Sequence, residues 1–209
     1  MTQPQAANSA GHVVVVDSGG ANLASLGYAL ERLGVTARVT TDANVISSAE
    51  RVLLPGVGNA AAIMQRLEER ALIPIIRALT APVLGICLGM QLLFEHSAEG
   101  NTTGLGLLPG RIERMSAAAG RPVPHMGWNT LQQKCDDPLL HRLTDEDWFY
   151  FVHGYYAPAT ANYVIATVEY GEQYAAVVRH KNFYGVQFHP ERSGKSGARL
   201  LANFIALAN

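Results

Sequence analysis

A short segment near the middle of the chain, Gly85-Ile86-Cys87-Leu88-Gly89, places a cysteine between two glycines at the end of an apolar run. The run over 81–86 is typical of a buried parallel strand, and residues 90–94 are predicted to open the helix that follows. A strand, a tight glycine turn and a helix form the repeating unit of parallel sheets. The segment therefore favours an α/β fold and puts a thiol near a helix N-terminus, where the helix dipole favours the thiolate. Taken alone, it is equally compatible with a buried, inert cysteine.

Apolar strands and helices alternate through the first half of the chain, and shorter strands fill most of the second half. The predicted strands lie at 12–16, 35–40, 51–54, 83–86, 111–115, 148–152, 163–170, 175–179 and 183–188. The predicted helices lie at 22–33, 60–70 and 196–208, with loops at 100–110 and 116–121. We expect a single-domain α/β fold: a largely parallel twisted sheet with helices on both faces and an antiparallel extension.

Length and composition are compatible with one such domain over residues 12–209. The chain has 209 residues, of which 48% are hydrophobic and 16% charged, and no stretch is long and apolar enough for a membrane span. Residues 1–11 carry no charged side chain and no apolar core, so we expect a short disordered tail and not a secretory signal. With 16 Lys and Arg against 17 Asp and Glu, no attraction to nucleic acid or anionic membranes is expected.

The cysteines and histidines give no sign of a disulfide framework or a metal site. Besides Cys87, the chain has Cys135 in a polar stretch, and a reduced, cytoplasmic setting explains both thiols. The seven histidines are scattered, with no H-x-x-x-H or C-x-x-C spacing. The chain also lacks a P-loop and a dinucleotide fingerprint. We therefore expect no metal and no cofactor.

A second group of polar residues follows the aromatic strand at 183–188. His189-Pro190-Glu191 comes directly after it, and proline biases His189 toward an extended conformation. Side chains two residues apart then point to one side, so Glu191 is predicted to reach the imidazole. Taken alone, this tripeptide is compatible with an ordinary loop. Together with a cysteine on a turn between a strand and a helix, it predicts a catalytic triad of Cys87, His189 and Glu191.

A glycine-rich segment, Pro55-Gly56-Val57-Gly58-Asn59, follows the strand at 51–54. Backbone N–H groups of Gly56, Val57 and Gly58, together with that of Leu88, are predicted to face a developing oxyanion. Taken alone, the segment is equally typical of a plain turn between a strand and a helix.

In their order and approximate spacing, Pro-Gly-x-Gly, Gly-x-Cys-x-Gly and His-Pro-Glu resemble the class I glutamine amidotransferase family. His125-Met126-Gly127-Trp128-Asn129 and the strings at 149–153 and 182–193 extend the resemblance to the glutaminase subunits of imidazole glycerol phosphate synthase, over nearly all of 12–204. The resemblance implies the fold described above and hydrolysis of glutamine to glutamate and ammonia. Two alternatives remain open. The chain could be an amidotransferase that serves another synthase, such as one that forms anthranilate or aminodeoxychorismate, or it could be a non-enzymatic partner protein that keeps the fold without the chemistry.

The same resemblance implies roles for further residues. Gln91 would hold the substrate, although a solvent-facing helical glutamine is the plain alternative. His153, Gly154 and Tyr155 would bind the amino-acid end of glutamine, largely through main-chain groups. A hydroxyl residue is expected where Gly154 stands, so a side-chain contact with glutamine at this position is absent from this chain.

The resemblance finally implies a partner: a cyclase subunit with a (β/α)₈-barrel fold, which receives the ammonia. Asn22, Trp128, Tyr150 and Arg192 resemble positions that face this subunit. Tryptophan is favoured at interfaces, although a tryptophan beside a glycine is also compatible with the core. Control by the partner would take the form of a glycine loop whose N–H turns toward the oxyanion only when the cyclase is loaded.

Overall fold

The computed structural model describes residues 12–19 and 23–208, so the predicted tail and Asn22 lie outside the described residues. The strands are β1 Val13–Val16, β2 Ala37–Thr40, β3 Arg51–Gly56, β4 Val83–Cys87, β5 Phe94–Ser97, β6 Thr102–Thr103, β7 Leu108–Arg114, β8 His125–Thr130, β9 Gln132–Gln133, β10 Trp148–His153, β11 Tyr155–Tyr156, β12 Val164–Glu169, β13 Gln173–His180 and β14 Phe183–Val186. The helices are α1 Leu23–Glu31, α2 Ala43–Ser47, α3 Ala60–Glu69, α4 Leu72–Arg77, α5 Leu88–Leu92 and α6 Gly194–Ala206. Across the described ranges, no helix reaches the length and apolarity that crossing a membrane requires.

The main sheet has eight strands in the order β2-β1-β3-β4-β14-β13-β12-β9. Its first five strands are parallel to one another, and β13, β12 and β9 continue it with antiparallel pairing. The predicted parallel sheet with an antiparallel extension is therefore confirmed. Because ligands of open α/β sheets bind beyond the carboxyl ends of the strands, the ends of β3, β4 and β14 mark the region of the site.

Helices cover both faces of this sheet. In β1, Val13 and Val15 belong to one core cluster together with α1 and α6, whereas Val14 and Val16 belong to another with α2, α3 and α4. Side chains alternate between the faces of a strand, so a strand covered on both sides must be apolar at every position. The uninterrupted valines of β1 satisfy this requirement, and the predicted two-sided packing is confirmed.

Two smaller sheets complete the fold. Strands β8 and β10 form an antiparallel pair, and β11, β7, β5 and β6 form a four-stranded sheet in that order. Phe149 and Phe151 of β10 are fully buried against Phe188, which follows β14. This packing holds the β8–β10 pair over the ends of the central strands.

The region after the cysteine departs from the sequence prediction. The predicted helix is only five residues long, and Phe94 already begins β5. The carbonyls of Leu92 and Phe94 accept the N–H groups of Leu105 and Gly106 at 2.7 and 3.0 Å, so they are not available to a continuing helix. The prediction of a loop at 100–110 is wrong in part, since this range contains β6 and the start of β7. Leu108, the first residue of β7, is fully buried in the core.

Candidate active site

The turn between β4 and α5 holds Cys87 in an unusual backbone conformation, with φ 53° and ψ −110°. Such a conformation is costly for a residue with a side chain and persists only where the surroundings enforce it. Here β3 and β4 run in register so that Gly56 lies opposite Cys87. A Cβ on Gly89 would overlap the carbonyl oxygen of Leu54, and one on Gly56 would lie 2.8 Å from Gly89 N. The glycines around the cysteine are therefore required by the close approach of β3 to α5.

His189 and Glu191 meet as expected, but through a different backbone path. His189 is extended, with φ −102° and ψ 95°, whereas Pro190–Arg192 forms a 3₁₀ turn. This turn brings Glu191 Oε1 to 2.8 Å from His189 Nδ1, with side chains only 6% and 8% exposed. Since Nδ1 is engaged by the carboxylate, Nε2 is the ring nitrogen that remains for the cysteine.

His189 and Cys87 line the same cavity, and the thiol is one of the groups that act on the pKa of the imidazole. Burial alone would lower the pKa of His189, but the interactions with Cys87 and Glu191 outweigh it and raise the pKa from 6.5 to about 10. The imidazolium is therefore the favoured form at neutral pH. Cys87 itself is 7% exposed, and its Sγ lies 3.9 Å from the carbonyl oxygen of Val152.

The backbone around His189 is fixed by β10. His189 N donates to the carbonyl of Tyr150 at 2.9 Å, and Ser193 Oγ donates to the carbonyl of His189 at 2.6 Å. Tyr150 N in turn donates to Ser193 Oγ at 3.0 Å. The buried hydroxyl of Ser193 thus joins the strand that carries Tyr150 to the segment that carries the imidazole.

A cavity of about 320 Å³ opens beside the cysteine. This volume suits a small amino acid. The predicted site residues among its walls are Val57, Gly58, Cys87, Leu88, Gln91, His153, Gly154, Tyr155 and His189. The structure places Gly56 elsewhere: it belongs to β3 and lines a smaller void next to His189 and Glu191.

Gln91 faces the interior, which rules out the solvent-facing alternative. Its side chain is 4% exposed, and Nε2 donates to the carbonyl of Tyr155 at 3.0 Å. The same carbonyl lies 2.8 Å from His153 Nδ1, so that nitrogen carries a hydrogen. His153 Nε2 is then the acceptor and lies 3.2 Å from His125 Nδ1. Burial lowers the pKa of His153 to about 3 and that of His125 to about 4, so both rings are neutral.

Gln187 is a polar residue of the site that the sequence motifs did not predict. It is completely buried, and its Nε2 lies 3.8 Å from Cys87 Sγ. A signal was present, since Gln187 interrupts an otherwise apolar run and stands two residues before His189. In extended chain that spacing places both side chains on one side.

Gly154 leaves room in the cavity wall. A Cβ at this position would meet only Val123 Cγ1, at 3.6 Å, which is an ordinary van der Waals contact. The carbonyl of Gly154 is already engaged by Met115 N at 2.9 Å. A residue with a small side chain therefore fits here without displacing the backbone.

The β8–β10 pair and the 3₁₀ turn at Pro190–Arg192 together present a surface, here called the aromatic surface, formed by Met126, Trp128, Tyr150 and Arg192. Trp128 is 52% exposed, so the core alternative for this residue is wrong. Its ring packs edge-on against Tyr150 with centroids 5.9 Å apart, and the Arg192 guanidinium lies 5.1 Å from the Tyr150 centroid. Large exposed apolar groups gathered in one place are typical of a protein contact.

Metal ligands are not gathered in the part of the chain that the structure describes. Among these residues, no three His, Cys, Asp or Glu side chains are placed to hold a metal ion. Both described cysteines are free thiols. Cys87 and His189 line the cavity, and Glu191 contacts the imidazole from behind it.

Comparisons with known proteins agree with this geometry. The family model described as "Glutamine amidotransferase class-I" matches residues 14–207. The imidazole glycerol phosphate synthase subunit HisH of Idiomarina loihiensis is 52% identical over 196 residues, which is 94% of this chain and 98% of the relative. The subunit HisH of Mannheimia succiniciproducens is 48% identical over 193 residues, which is 92% of this chain and 98% of the relative.

Solved structures share the fold at low identity. A putative GMP synthase protein from Thermoplasma acidophilum has a TM-score of 0.71 and 20% identity, and the match covers 93% of this chain and 92% of that one. PurLQS from Thermotoga maritima has a TM-score of 0.68 and 19% identity over 93% of this chain and 97% of that one. The family model and the close relatives go further than the fold. The chain belongs to the class I glutamine amidotransferase family and, within it, to the HisH subunits of imidazole glycerol phosphate synthase.

Proposed function

We propose that this chain hydrolyses glutamine through Cys87, His189 and Glu191 and delivers the ammonia to a cyclase subunit with a (β/α)₈-barrel fold. In histidine biosynthesis, that subunit would form imidazole glycerol phosphate and aminoimidazole carboxamide ribotide. The placement of Cys87 and His189 in the wall of the 320 Å³ cavity, with Glu191 bound to the imidazole, is the observation that carries the proposal. The free thiols fit a reducing, cytoplasmic setting.

The chemistry follows from these contacts. The Cys87 thiolate attacks the side-chain carboxamide of glutamine, and the His189 imidazolium gives its proton to the amide nitrogen, which leaves as ammonia. A glutamyl thioester remains on Sγ. His189 then removes a proton from water, the resulting hydroxide attacks the thioester, and glutamate leaves as the thiolate is restored. Glu191 keeps the imidazole oriented and stabilises its positive charge through both steps.

Backbone N–H groups would stabilise the oxyanions. Leu88 occupies the first position of α5, where the N–H has no acceptor within the helix. In the segment after β3, Gly58 also lines the cavity; it has φ +97°, and nothing lies within 4 Å of the space that a Cβ would fill. A peptide with this freedom can turn its N–H toward the cavity, which is the movement proposed for activation by a loaded partner.

The aromatic surface is the proposed contact with the cyclase. Strand β8 carries Trp128 and also His125, which contacts His153 of the cavity wall. Strand β10 carries Tyr150 as well as Val152, whose carbonyl faces Cys87. A partner seated on this surface would therefore touch the strands that form one wall of the cavity. Trp128→Ala should weaken cyclase binding by about 10-fold or more, whereas Tyr28→Ala, at an exposed aromatic residue of α1, should leave it unchanged.

Glutamate release tests the proposal when measured for the chain alone, with the cyclase, and with the cyclase plus its nucleotide ligand. We expect strong stimulation in the last mixture and its loss in Cys87→Ser. Equal activity in all three mixtures would point to a different synthase. Activity that survives Cys87→Ser would overturn the mechanism, and inactivity within a confirmed complex would favour a non-enzymatic partner.

A further inference from the structure

A run of buried hydrogen bonds leads from the backbone of β11 to the nucleophile, and its direction can be worked out. It begins at the carbonyl oxygen of Tyr155, which can only accept hydrogen bonds. The side-chain atom of Gln91 that lies 3.0 Å from this oxygen must therefore be the amide nitrogen. This assignment does not depend on how the two ends of the amide are drawn, because the opposite orientation would place two oxygens in contact.

The same reasoning extends to the next side chain. The nitrogen of Gln91 also lies 2.9 Å from the carboxamide of Gln187 and donates there, so the facing atom of Gln187 is its oxygen. The other end of that carboxamide, 3.8 Å from Cys87 Sγ, is then its NH₂ group. The sulfur thus faces a donor whose orientation is fixed two side chains away.

Burial strengthens the contact between Gln187 and Cys87. Gln187 is fully buried and Gln91 is 4% exposed, so water does not compete for either amide. In such surroundings an N–H directed at a charged acceptor is stronger than in water. The Cys87 thiolate would otherwise depend on His189 alone among the described side chains that donate to it.

We propose that Gln187 is a further catalytic residue, whose carboxamide N–H stabilises the Cys87 thiolate before attack and again as the sulfur leaves the thioester. Gln91 acts through it, because its own hydrogen bond to Tyr155 prevents the Gln187 amide from rotating. The proposal concerns the reactivity of the thiol itself. It can therefore be tested without glutamine or a partner protein, and its failure would be distinct from failure of the proposed function.

The test is the pH dependence of Cys87 alkylation by iodoacetamide in the full-length chain. A Cys135→Ser background removes the exposed second thiol. Gln187→Met keeps the length of the side chain without a donor, and we expect alkylation about 10-fold slower at neutral pH, with the midpoint of the profile about one pH unit higher. Gln187→Glu keeps the oxygen that accepts from Gln91 and replaces the donor by a carboxylate, so it should shift the profile in the same direction.

Gln173→Met is the matched control, since Gln173 is an exposed glutamine on the neighbouring strand β13 and its amide bonds to Gln132. The rate and pH dependence of Cys87 alkylation in this variant should equal those of the Cys135→Ser chain. An unshifted profile for Gln187→Met, in a variant whose thermal unfolding shows that it is folded, overturns the proposal. If that variant does not fold, an unshifted profile for Gln187→Glu overturns it instead.

Discussion

Glu191 Oε1 lies 2.8 Å from His189 Nδ1, and the two side chains are buried together behind the cysteine. Burial opposes the positive charge of the imidazole, so the carboxylate is one of the groups that keep the pKa of His189 high. The contact also selects Nε2 as the nitrogen that serves the thiol. Glu191 therefore fixes the orientation of His189 and, together with Cys87, keeps its pKa high.

Replacement of Glu191 by glutamine should preserve the shape of the site and remove this charge. We expect glutamine hydrolysis in the cyclase complex to fall by about 100-fold or more. The pKa of His189 should fall from its raised value, so the alkaline limb of the pH–activity profile should move to lower pH. Glu146→Gln, at an exposed position, is the control and should leave both unchanged. A Glu191→Gln enzyme with the parental profile would show that the carboxylate does not set the charge of His189.

The packing of β3 against α5 predicts a severe effect at Gly89. A methyl group there would overlap the carbonyl oxygen of Leu54, and both are backbone positions that cannot move aside. We expect Gly89→Ala to lower the free energy of unfolding by about 3 kcal/mol or more, or to prevent folding. Urea unfolding followed by circular dichroism gives the value.

Gly27→Ala is the contrasting control. Gly27 lies within α1, and nothing stands within 4 Å of the space that its Cβ would occupy. Alanine is favoured over glycine in a helix, so the free energy of unfolding of this variant should be about 0.5–1 kcal/mol higher than that of the parent chain. Equal changes in the free energy of unfolding for Gly89→Ala and Gly27→Ala would contradict the close approach of β3 to α5 at Gly89.

The central strands could be predicted because each satisfies a local requirement. β1, β3 and β4 are covered on both faces, and this forces an unbroken apolar run that is visible in the sequence. The end of α5 could not be predicted, since it is set by hydrogen bonds from Leu105 and Gly106, which lie more than ten residues away. The sequence does not predict β8 either, because this strand combines exposed Met126 and Trp128 with a glycine.

The site likewise contains residues that could be predicted from the sequence and one that could not. Cys87, His189 and Glu191 could be placed together because each stands in a short motif whose local geometry has a chemical use. Gln187 belongs to no such motif, and its partner Gln91 is 96 residues away in the chain. A polar residue in this apolar run can be seen in the sequence, but its contacts with Gln91 and Cys87 can be seen only in three dimensions.

Gly154 offers a gain-of-affinity prediction. The wall of the cavity has room for a small side chain at this position, and a hydroxyl there could accept or donate a hydrogen bond to bound glutamine. Gly154→Ser should lower KM for glutamine by about 3- to 10-fold, with kcat little changed. Gly154→Ala adds the same Cβ without the hydroxyl and should not lower KM. Equal effects of serine and alanine would assign the change to the backbone.

The His125–His153 pair makes stability depend on pH in a defined window. The folded-state pKa values, about 4 and about 3, lie below the unfolded value of 6.5. Between pH 6.5 and 4 the unfolded chain therefore binds more protons than the folded one, so stability is present above pH 6.5 and is lost as the pH falls. His189, whose folded-state pKa is about 10, has the opposite effect near pH 7, because the folded chain keeps a proton there that the unfolded chain loses. We therefore expect the melting temperature to fall mainly between pH 6.5 and pH 5.

His125→Asn should weaken this dependence, because it removes one of the two buried rings while keeping an N–H that can reach His153 Nε2. The decrease in Tm between pH 6.5 and pH 5 should be about half as large as in the parent chain. His141→Asn, at an exposed histidine, should leave the decrease unchanged. If the exposed substitution alters the slope as much as His125→Asn does, the pH dependence arises from surface charge, whereas a selective effect at His125 assigns it to the neutral pair beside the catalytic cavity.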